Sequence, residues 1–188
     1  MPRLKRLRGA LSASTLVIMA ACGGGDRAEA PPKNQNDICA IFDQRPGWED
    51  AMIASSNRWG APVPVQMAIM WRESSFRSSV RPPGRVSSAY GFAQAIDGTW
   101  DWYREDTGNS SADRTDFEDA ADFIGWYMSK SRSANNIPMY DAYNQYLAYH
   151  EGHAGHRRGS YNAKEWLPPV ADRVADQAAR YARQLPGC

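Results

Sequence analysis

The sequence predicts a mainly α-helical fold, in one domain with at most a small β-hairpin. Apolar residues recur at helical spacing between Trp48 and Trp59 and again from Val170 to Tyr181. Breaks rich in glycine and proline separate such segments, and the clearest covers residues 60–64. About 150 residues follow the N-terminal region, which is a normal size for one domain with one core. The chain shows no internal repeat and no second linker.

Each helix is predicted from its own apolar pattern and its own start and stop signals. Pro64 suits the first turn of a helix, where a missing N–H costs nothing, and the apolar run behind it extends that helix to Ser74. Residues 75–88 are rich in Ser, Arg, Pro and Gly and predict a loop, with room for a short hairpin before Tyr90. Gly152 is expected to end a helix. The predicted helices cover about 48–59, 64–74, 97–108, a segment starting at Asp113 or Thr115, 139–150 and 169–185.

Residues 1–21 have the pattern of a secretory signal peptide. Basic residues lie within positions 3–8, an apolar stretch covers 11–21, and small residues precede Cys22. The apolar stretch is short for a membrane-spanning helix. The whole chain has 22 basic and 21 acidic residues, a net charge of +1. Removal of this segment would leave 18 basic and 21 acidic residues, a net charge of −3. No clustered excess of Lys and Arg then points to a nucleic-acid partner.

The end of this segment, Met19-Ala20-Ala21-Cys22, resembles a bacterial lipobox, in which the cysteine becomes the lipidated N-terminus. The resemblance implies a lipoprotein of the periplasm, and Gly23 favours the outer membrane. Ordinary secretion with a free Cys22 is the alternative. Residues 22–37 are rich in Gly, Pro and polar residues and predict a flexible tether, so that 38–188 forms the folded domain.

The cysteine count agrees with export. Lipidation of Cys22 leaves Cys39 and Cys188 as a pair in an oxidising compartment, and we predict a disulfide between them. This bond would tie the start of the domain to its last residue, and a loop of this length contributes about 4–5 kcal/mol on the chain-entropy model. Two buried or unpaired thiols are the alternative.

Glu73 is the strongest candidate for a catalytic residue. It follows the apolar run of residues 65–71, so its carboxyl is expected at the end of a largely buried helix. In a cleft, loss of hydration disfavours the charged form and raises the pKa of such a carboxyl. A carboxyl with a raised pKa suits general-acid cleavage of a sugar–sugar bond. A solvated charge at a helix end is the alternative.

Three short motifs follow one another along the chain: Glu73-Ser74, then Gly91-Phe92-Ala93-Gln94, then Ala148-Tyr149-His150-Glu151-Gly152. Their order and spacing resemble the catalytic domain of bacterial lytic transglycosylases of the SLT type. The resemblance covers roughly residues 48–185. It implies a lysozyme-like helical fold, of the superfamily that also holds the goose-type lysozymes.

The resemblance also implies a substrate and a reaction. The substrate is the glycan strand of peptidoglycan, cut at the bond from N-acetylmuramic acid to N-acetylglucosamine without water, which leaves 1,6-anhydro ends. Glu73 acts first as acid and then as base, with no cofactor and no metal. We expect a monomer, attached to the membrane through the lipid on Cys22.

Four further residues are candidates for supporting roles. By resemblance Ser74 helps to hold the surroundings of Glu73, with local backbone bonding at the helix end as the alternative. Gln94 carries donors and an acceptor that suit a sugar or an N-acetyl group. The Tyr149 hydroxyl is expected to reach Glu73 and to help set its pKa. Tyr90, beside the second motif, is the predicted glycan contact.

The third motif departs from the family's Ala-Tyr-Asn-Ala-Gly at two positions. His150 replaces Asn, can donate or accept a hydrogen bond, and titrates near neutral pH. Glu151 replaces Ala, and a second carboxylate facing Glu73 could activate water, which would make the enzyme a hydrolytic muramidase. A cap, a salt bridge to Arg157 or Arg158, or exposure to solvent is the more ordinary interpretation of Glu151.

Two other hypotheses compete with catalysis by Glu73. A peptidoglycan-binding lipoprotein without activity could use the same cleft, although loss of activity would most simply remove Glu73. His150, His153 and His156 invite a metal site, but they lack the i, i+4 spacing of zinc-binding helices, and glycines lie between them. No metal site is therefore predicted.

Overall fold

The computed structural model describes residues 30–188, and in this part of the chain the predicted mainly helical fold is confirmed. The helices are α1 (Ile38–Gln44), α2 (Pro46–Trp59), α3 (Val63–Ser74), α4 (Asp97–Thr107), α5 (Phe117–Asn135), α6 (Ala142–Arg157) and α7 (Leu167–Gln184). Short 3₁₀ turns lie at Pro83–Arg85, Ser160–Ala163 and Leu185–Gly187. The described residues form no β-strand, so the short hairpin allowed before Tyr90 is not formed. An isolated antiparallel bridge joins Tyr90 to Ala95.

Helix α3 runs through the core of the domain. Met67, Ala68 and Ile69 have no exposed surface, because α3 packs against α7 and also against α2 and α5. A helix that is apolar around most of its circumference is stable only when it is buried in this way. The burial of α3 explains the apolar run before Glu73, and the last turn of the helix carries that residue out of the core.

The helix ends differ in detail from the sequence pattern. The cap of α5 is Asp116, whose carboxylate accepts a hydrogen bond of 3.0 Å from the backbone N–H of Asp119. Asp113 instead accepts from the backbone N–H of Thr115 in the preceding loop. Gly152 breaks the regular geometry of α6, with φ 72° and ψ 161°, but the helix resumes behind it and continues to Arg157.

The predicted disulfide is confirmed. It joins Cys39 to Cys188, whose Cα atoms lie 5.1 Å apart and whose positions differ by 149 residues. The bond fastens α1 to the end of the chain beyond α7. Both ends of the described domain are therefore held at one place.

Part of the predicted tether belongs to the folded unit. The backbone N–H of Lys33 donates to Oε1 of Gln44, and the carbonyl oxygen of Asn36 accepts from Nε2 of Gln184, each at 3.1 Å. The folded unit therefore begins before residue 38. The predicted signal peptide and Cys22 lie outside the described residues. Among the helices described, none has the length and apolar character that crossing a membrane requires.

Candidate active site

A cleft of about 440 Å³ opens beside the C-terminal end of α3. Its lining draws on α5, on α6 around its kink at Gly152, and on the loop that precedes α4. Most of the residues that the sequence singled out meet here. They are Glu73, Gln94, Tyr149, His150 and Glu151.

The end of α3 presents Glu73 to this cleft through an unusual turn. Ser75 and Phe76, which follow directly, both adopt left-handed backbone conformations, with φ 51° and 58°. Residues with a Cβ adopt this conformation only at an energetic cost. Ser74 is buried, and its hydroxyl donates to the carbonyl oxygen of Met70 at 3.2 Å. Ser74 thus closes the helix end locally and lies outside the cleft lining.

The Glu73 carboxyl is poised to exchange a proton near neutral pH. Burial raises its pKa from 4.5 to about 7. A hydrogen bond with the Tyr146 hydroxyl and the positive charge of Arg72 act in the opposite direction, but they are outweighed. Both the protonated and the ionised form are therefore accessible under ordinary conditions, as a group that acts in turn as acid and base requires.

The Tyr149 hydroxyl has a different partner from the one expected. It donates a hydrogen bond of 2.6 Å to the carbonyl oxygen of Ala93, and not to Glu73. Its ring packs edge-on against Tyr127, with centroids 5.2 Å apart. Burial and, secondly, the nearby charge of Glu73 raise the Tyr149 pKa well above its usual value. Tyr149 therefore acts as a neutral clamp between α6 and the second motif.

Gln94 offers the cleft an acceptor. Its amide nitrogen donates to the carbonyl oxygens of Val80 at 2.9 Å and of Gly91 at 2.8 Å. These bonds use both amide hydrogens and hold the residue in a left-handed conformation with φ 50°. The predicted combination of donors and acceptor is thus reduced to Oε1, which can accept from a hydroxyl or N–H group of a ligand.

Arg114 holds the loop that carries Gln94. Its guanidinium donates to the backbone carbonyls of Ser88 and Ala95, each at 3.0 Å. Gly91 crosses the Arg114 backbone so closely that an added Cβ would lie 2.0 Å from the Arg114 carbonyl oxygen. The shape of this part of the cleft therefore depends on an arginine that belongs to none of the three motifs.

Glu151 lines the cleft, but its carboxylate is already occupied. Oε1 lies 2.5 Å from Nζ of Lys164 and 3.0 Å from Nδ1 of His150, and the Ser160 hydroxyl donates to Oε2. Burial alone would raise its pKa, but the hydrogen bonds from Lys164, Ser160 and His150, together with the Lys164 charge, lower the pKa to about 2. Glu151 is therefore a fixed anion, and Lys164 takes the place of the arginine partners considered from the sequence.

His150 and Trp166 form an exposed pair at the cleft. The two rings meet edge-on, with centroids 5.1 Å apart. Trp166 is 53% exposed, which is high for a tryptophan, and it lies at the start of α7. A flat apolar ring and an imidazole are thus open to a ligand beside the lining that holds Glu73.

A comparison with protein-family models matches residues 10–188 to the family described as Transglycosylase SLT domain. The chain belongs to this family. A comparison with curated proteins found no match. The family match spans every residue of the cleft.

Tyr90 of this SLT domain is not brought into the cleft with Glu73. Its ring lies beneath the guanidinium of Arg81, with 3.8 Å between Cζ and the ring centroid, and borders a separate polar depression. The backbone bridge to Ala95 fixes this orientation. Tyr90 was predicted from its place beside Gly91, but residues 91–94 form a turn that begins with a left-handed Gly91 (φ 77°), so neighbours in the sequence do not share a direction here.

The remaining histidines of the SLT domain serve packing. His153 stacks on Tyr127 with centroids 4.6 Å apart, and its Nε2 lies 3.1 Å from the Ser131 hydroxyl. Nε2 of His156 lies 3.3 Å from Oδ1 of Asn144. Burial lowers the pKa of both histidines. Within residues 30–188, no cluster of His, Cys, Asp and Glu is arranged to hold a metal ion.

Tyr146 is a further site residue of the SLT domain that the motifs did not reveal. It precedes Tyr149 by three residues and therefore shares its face of α6. Its hydroxyl bonds to Glu73, which is the role predicted for Tyr149. The i, i+3 spacing of the two tyrosines was visible in the sequence, but nothing there indicated which ring would reach the carboxyl.

Proposed function

We propose that this protein is a lytic transglycosylase that cleaves the β-1,4 bond between N-acetylmuramic acid and N-acetylglucosamine in peptidoglycan. Glu73 carries the proposal, because it is a carboxyl at the cleft with its pKa raised to about 7 and with no basic side chain in a salt bridge to it among the described residues. Membership of the SLT transglycosylase family supports peptidoglycan as the substrate.

In the first step Glu73 acts as a general acid. It transfers its proton to the glycosidic oxygen while the bond from that oxygen to C1 of N-acetylmuramic acid breaks. The leaving sugar departs with a free 4-hydroxyl group. The N-acetyl group of the sugar that remains stabilises the positive charge at C1. This step requires a carboxyl that keeps a proton near neutral pH, as burial of Glu73 provides.

In the second step the ionised Glu73 acts as a base. It takes the proton of the 6-hydroxyl group on the same N-acetylmuramic acid, and O6 forms a bond to C1. Glu73 thereby regains its proton, the product carries a 1,6-anhydro ring, and no water is consumed. One carboxyl serves both steps, so the reaction does not depend on a second catalytic carboxylate.

The cleft residues around Glu73 suit recognition of an amino sugar. Oε1 of Gln94 can accept from a sugar hydroxyl or from the N–H of an N-acetyl group, since the amide hydrogens are held by the protein. Trp166 offers an exposed ring for stacking on a sugar, beside His150. These contacts would orient the glycan so that the scissile oxygen meets Glu73.

A hydrolytic muramidase is the second candidate, and Glu151 is the observation that favours it. A second carboxylate in the same cleft could activate water on the opposite face of the sugar. However, Lys164 and Ser160 occupy its oxygens, and a pKa of about 2 makes it a weak base. The transglycosylase reaction therefore has the stronger support.

We also propose that a lipid on Cys22 anchors the enzyme to the outer membrane on its periplasmic side. The segment before Cys22 and Gly23 behind it support this placement, and the Cys39–Cys188 disulfide suits an oxidising compartment. Mass spectrometry of the mature N-terminal peptide tests it. We expect a lipid-modified Cys22, and an unmodified cysteine would contradict the anchor.

Product analysis tests the reaction. Protein produced from the full-length sequence is incubated with purified peptidoglycan, beside Glu73→Gln and a control, Glu105→Gln, which removes an exposed carboxylate of α4. We expect 1,6-anhydro ends from the wild type and the control and none from Glu73→Gln. Reducing ends would indicate a muramidase. Binding without fragments from the folded wild type would indicate a binding protein.

A further inference from the structure

We propose that Gln35 is a positioning residue for Glu73, and that the segment of residues 33–37, here called the N-terminal strap, is part of the catalytic unit. The proposal rests on the proposed function, because it concerns how the acid and base of that reaction is held. The contact that carries it joins Nε2 of Gln35 to the carbonyl oxygen of Ser75, at 3.1 Å.

The strap is fixed to the domain on both sides of Gln35. The carbonyl oxygen of Gln35 itself accepts hydrogen bonds from the Tyr181 hydroxyl and from Nε2 of Gln177, the latter at 3.3 Å. Oε1 of Gln184 accepts from the backbone N–H of Ile38 at 3.1 Å, where α1 begins. Helix α7 thus holds the backbone of the strap, and the Gln35 side chain is presented to the end of α3.

The turn that Gln35 contacts is costly to form. Ser75 and Phe76 are consecutive left-handed residues, each with a Cβ, so the turn is disfavoured by local conformational preference. Its other supports are local, such as the bond of 2.9 Å from the Ser75 N–H to the Trp71 carbonyl oxygen, or apolar, such as burial of the Phe76 ring. Gln35 adds a hydrogen bond from forty residues upstream.

A shift of this turn would move Glu73, which lies two residues before Ser75. The carboxyl depends on its burial for a pKa near 7, and on its orientation for contact with the glycosidic oxygen. Without the Gln35 amide, the Ser75 carbonyl loses a donor and the left-handed turn loses a restraint. The end of α3 then samples other conformations, in which water reaches the Glu73 carboxyl.

The first test replaces Gln35 by Leu, which removes the amide and keeps the size of the side chain. The matched control is Gln44→Leu, since Gln44 accepts a hydrogen bond from Lys33 of the same strap, while its amide donates to Ala40 and not to Ser75. We expect Gln35→Leu to lower the rate at saturating peptidoglycan about tenfold with little change in apparent KM. We expect the control to keep the wild-type rate.

A second readout does not need turnover. In carbon-detected NMR titration, the pKa of Glu73 in Gln35→Leu should fall from about 7 toward 4.5, because hydration returns to the carboxyl. The control should titrate like the wild type. If wild-type protein proves inactive, the proposed function fails, and this titration still decides whether Gln35 positions Glu73.

Gln35→Glu provides a variant whose hydrogen bond is switched by pH. The protonated carboxyl can donate to the Ser75 carbonyl, whereas the ionised form cannot. The rate of this variant relative to wild type should therefore recover as the pH falls through about 4–5. An unchanged Glu73 titration in Gln35→Leu, a wild-type rate in Gln35→Leu, or an equal loss in Gln44→Leu would overturn the proposal.

Discussion

The hydroxyl of Tyr149 donates a hydrogen bond of 2.6 Å to the carbonyl oxygen of Ala93 and so joins α6 to the segment that carries Gln94. Tyr146, one helical turn earlier, bonds instead to Glu73. Two tyrosines on one face of α6 thus support two different parts of the cleft: Tyr149 holds a binding loop, and Tyr146 modulates the acid. Their effects on activity should therefore be separable.

The variants Tyr146→Phe and Tyr149→Phe test this separation. The Tyr146 hydrogen bond lowers the pKa of Glu73, so its removal should raise that pKa and shift the alkaline fall of kcat/KM to higher pH. Tyr149→Phe should leave this midpoint in place, raise KM, and cost about 0.5–1.5 kcal/mol of stability through the unpaired Ala93 carbonyl. Rate measurements from pH 5 to 9 provide the comparison. Identical profiles for the two variants would contradict the assignment.

The Glu73 carboxyl should make the stability of the protein depend on pH. Between pH 4.5 and about 7 the folded protein keeps a proton on Glu73 that the unfolded chain releases, so this group lowers the free energy of unfolding as pH rises. At pH 8 the cost is on the order of 2–3 kcal/mol, with allowance for the part of the side chain that meets water in the cleft. Glu73→Gln removes this cost.

Urea unfolding of the wild type and of Glu73→Gln measures the effect. The two proteins should have similar stability at pH 4, and the variant should become progressively more stable than the wild type at pH 6 and pH 8. Other titrating groups are common to both proteins and cancel in the difference. A difference that stays constant from pH 4 to pH 8 would mean that burial does not raise the pKa of Glu73.

Glu151→Gln distinguishes a structural anion from a catalytic base. We expect the variant to release the same 1,6-anhydro products at a rate within about threefold of wild type, because Glu151 is a weak base engaged by Lys164. Complete loss of fragments, analysed by mass spectrometry, would place Glu151 in the chemistry.

The stability of the same variant provides an independent check. The depressed pKa of Glu151 stabilises the fold above pH 4.5, and this contribution is lost as the pH falls toward 2. Glu151→Gln should therefore be less stable than wild type at pH 7, by about 1–2 kcal/mol. Lys164→Met should cost more, because it leaves a buried carboxylate without its cation.

The sequence predicted those features that depend on neighbouring residues. The apolar run before Glu73 predicted a buried α3, because a burial pattern is a local signal. Gly152 was expected to end its helix. It has the left-handed φ that such an end uses, but the helix continues behind it to Arg157. The pairing of Cys39 with Cys188 followed from the count of three cysteines together with the lipobox-like segment that sets Cys22 apart.

The contacts that shape the site could not be read in this way, since they join distant parts of the chain. The partner of the Tyr149 hydroxyl lies 56 residues away, and that of the Gln35 amide lies 40 residues away. Tyr90 shows the converse, that a residue close to a motif in the sequence can lie outside the site. Its position beside the second motif suggested the cleft, whereas the Arg81 guanidinium and the bridge to Ala95 hold its ring elsewhere.

Gly91 tests whether close backbone packing shapes the second motif. Its neighbour is the backbone of Arg114, which cannot move aside as a flexible side chain could. With φ 77° and the Arg114 carbonyl oxygen 2.0 Å from the position of an added Cβ, Gly91→Ala cannot be accommodated by rotation of a side chain. The same carbonyl accepts from the Phe92 N–H at 3.1 Å, so displacement would also break a backbone hydrogen bond. We expect a loss of about 3 kcal/mol or more.

The matched control is Gly47→Ala, which places the same methyl group within α2. Apart from its chain neighbours and the backbone of its own helix, no atom of the described residues lies within 4 Å of its added Cβ, and the helical conformation suits alanine. We therefore expect unchanged stability or a gain of up to about 1 kcal/mol. Urea unfolding compares the two variants. If Gly91→Ala proved as stable as Gly47→Ala, the backbone of Gly91 and Arg114 would have room for a Cβ. Their close contact would then not fix the loop that carries Gln94. A Gly91→Ala protein that still folds should bind glycan more weakly, since Gln94 and Ala93 move with the same segment.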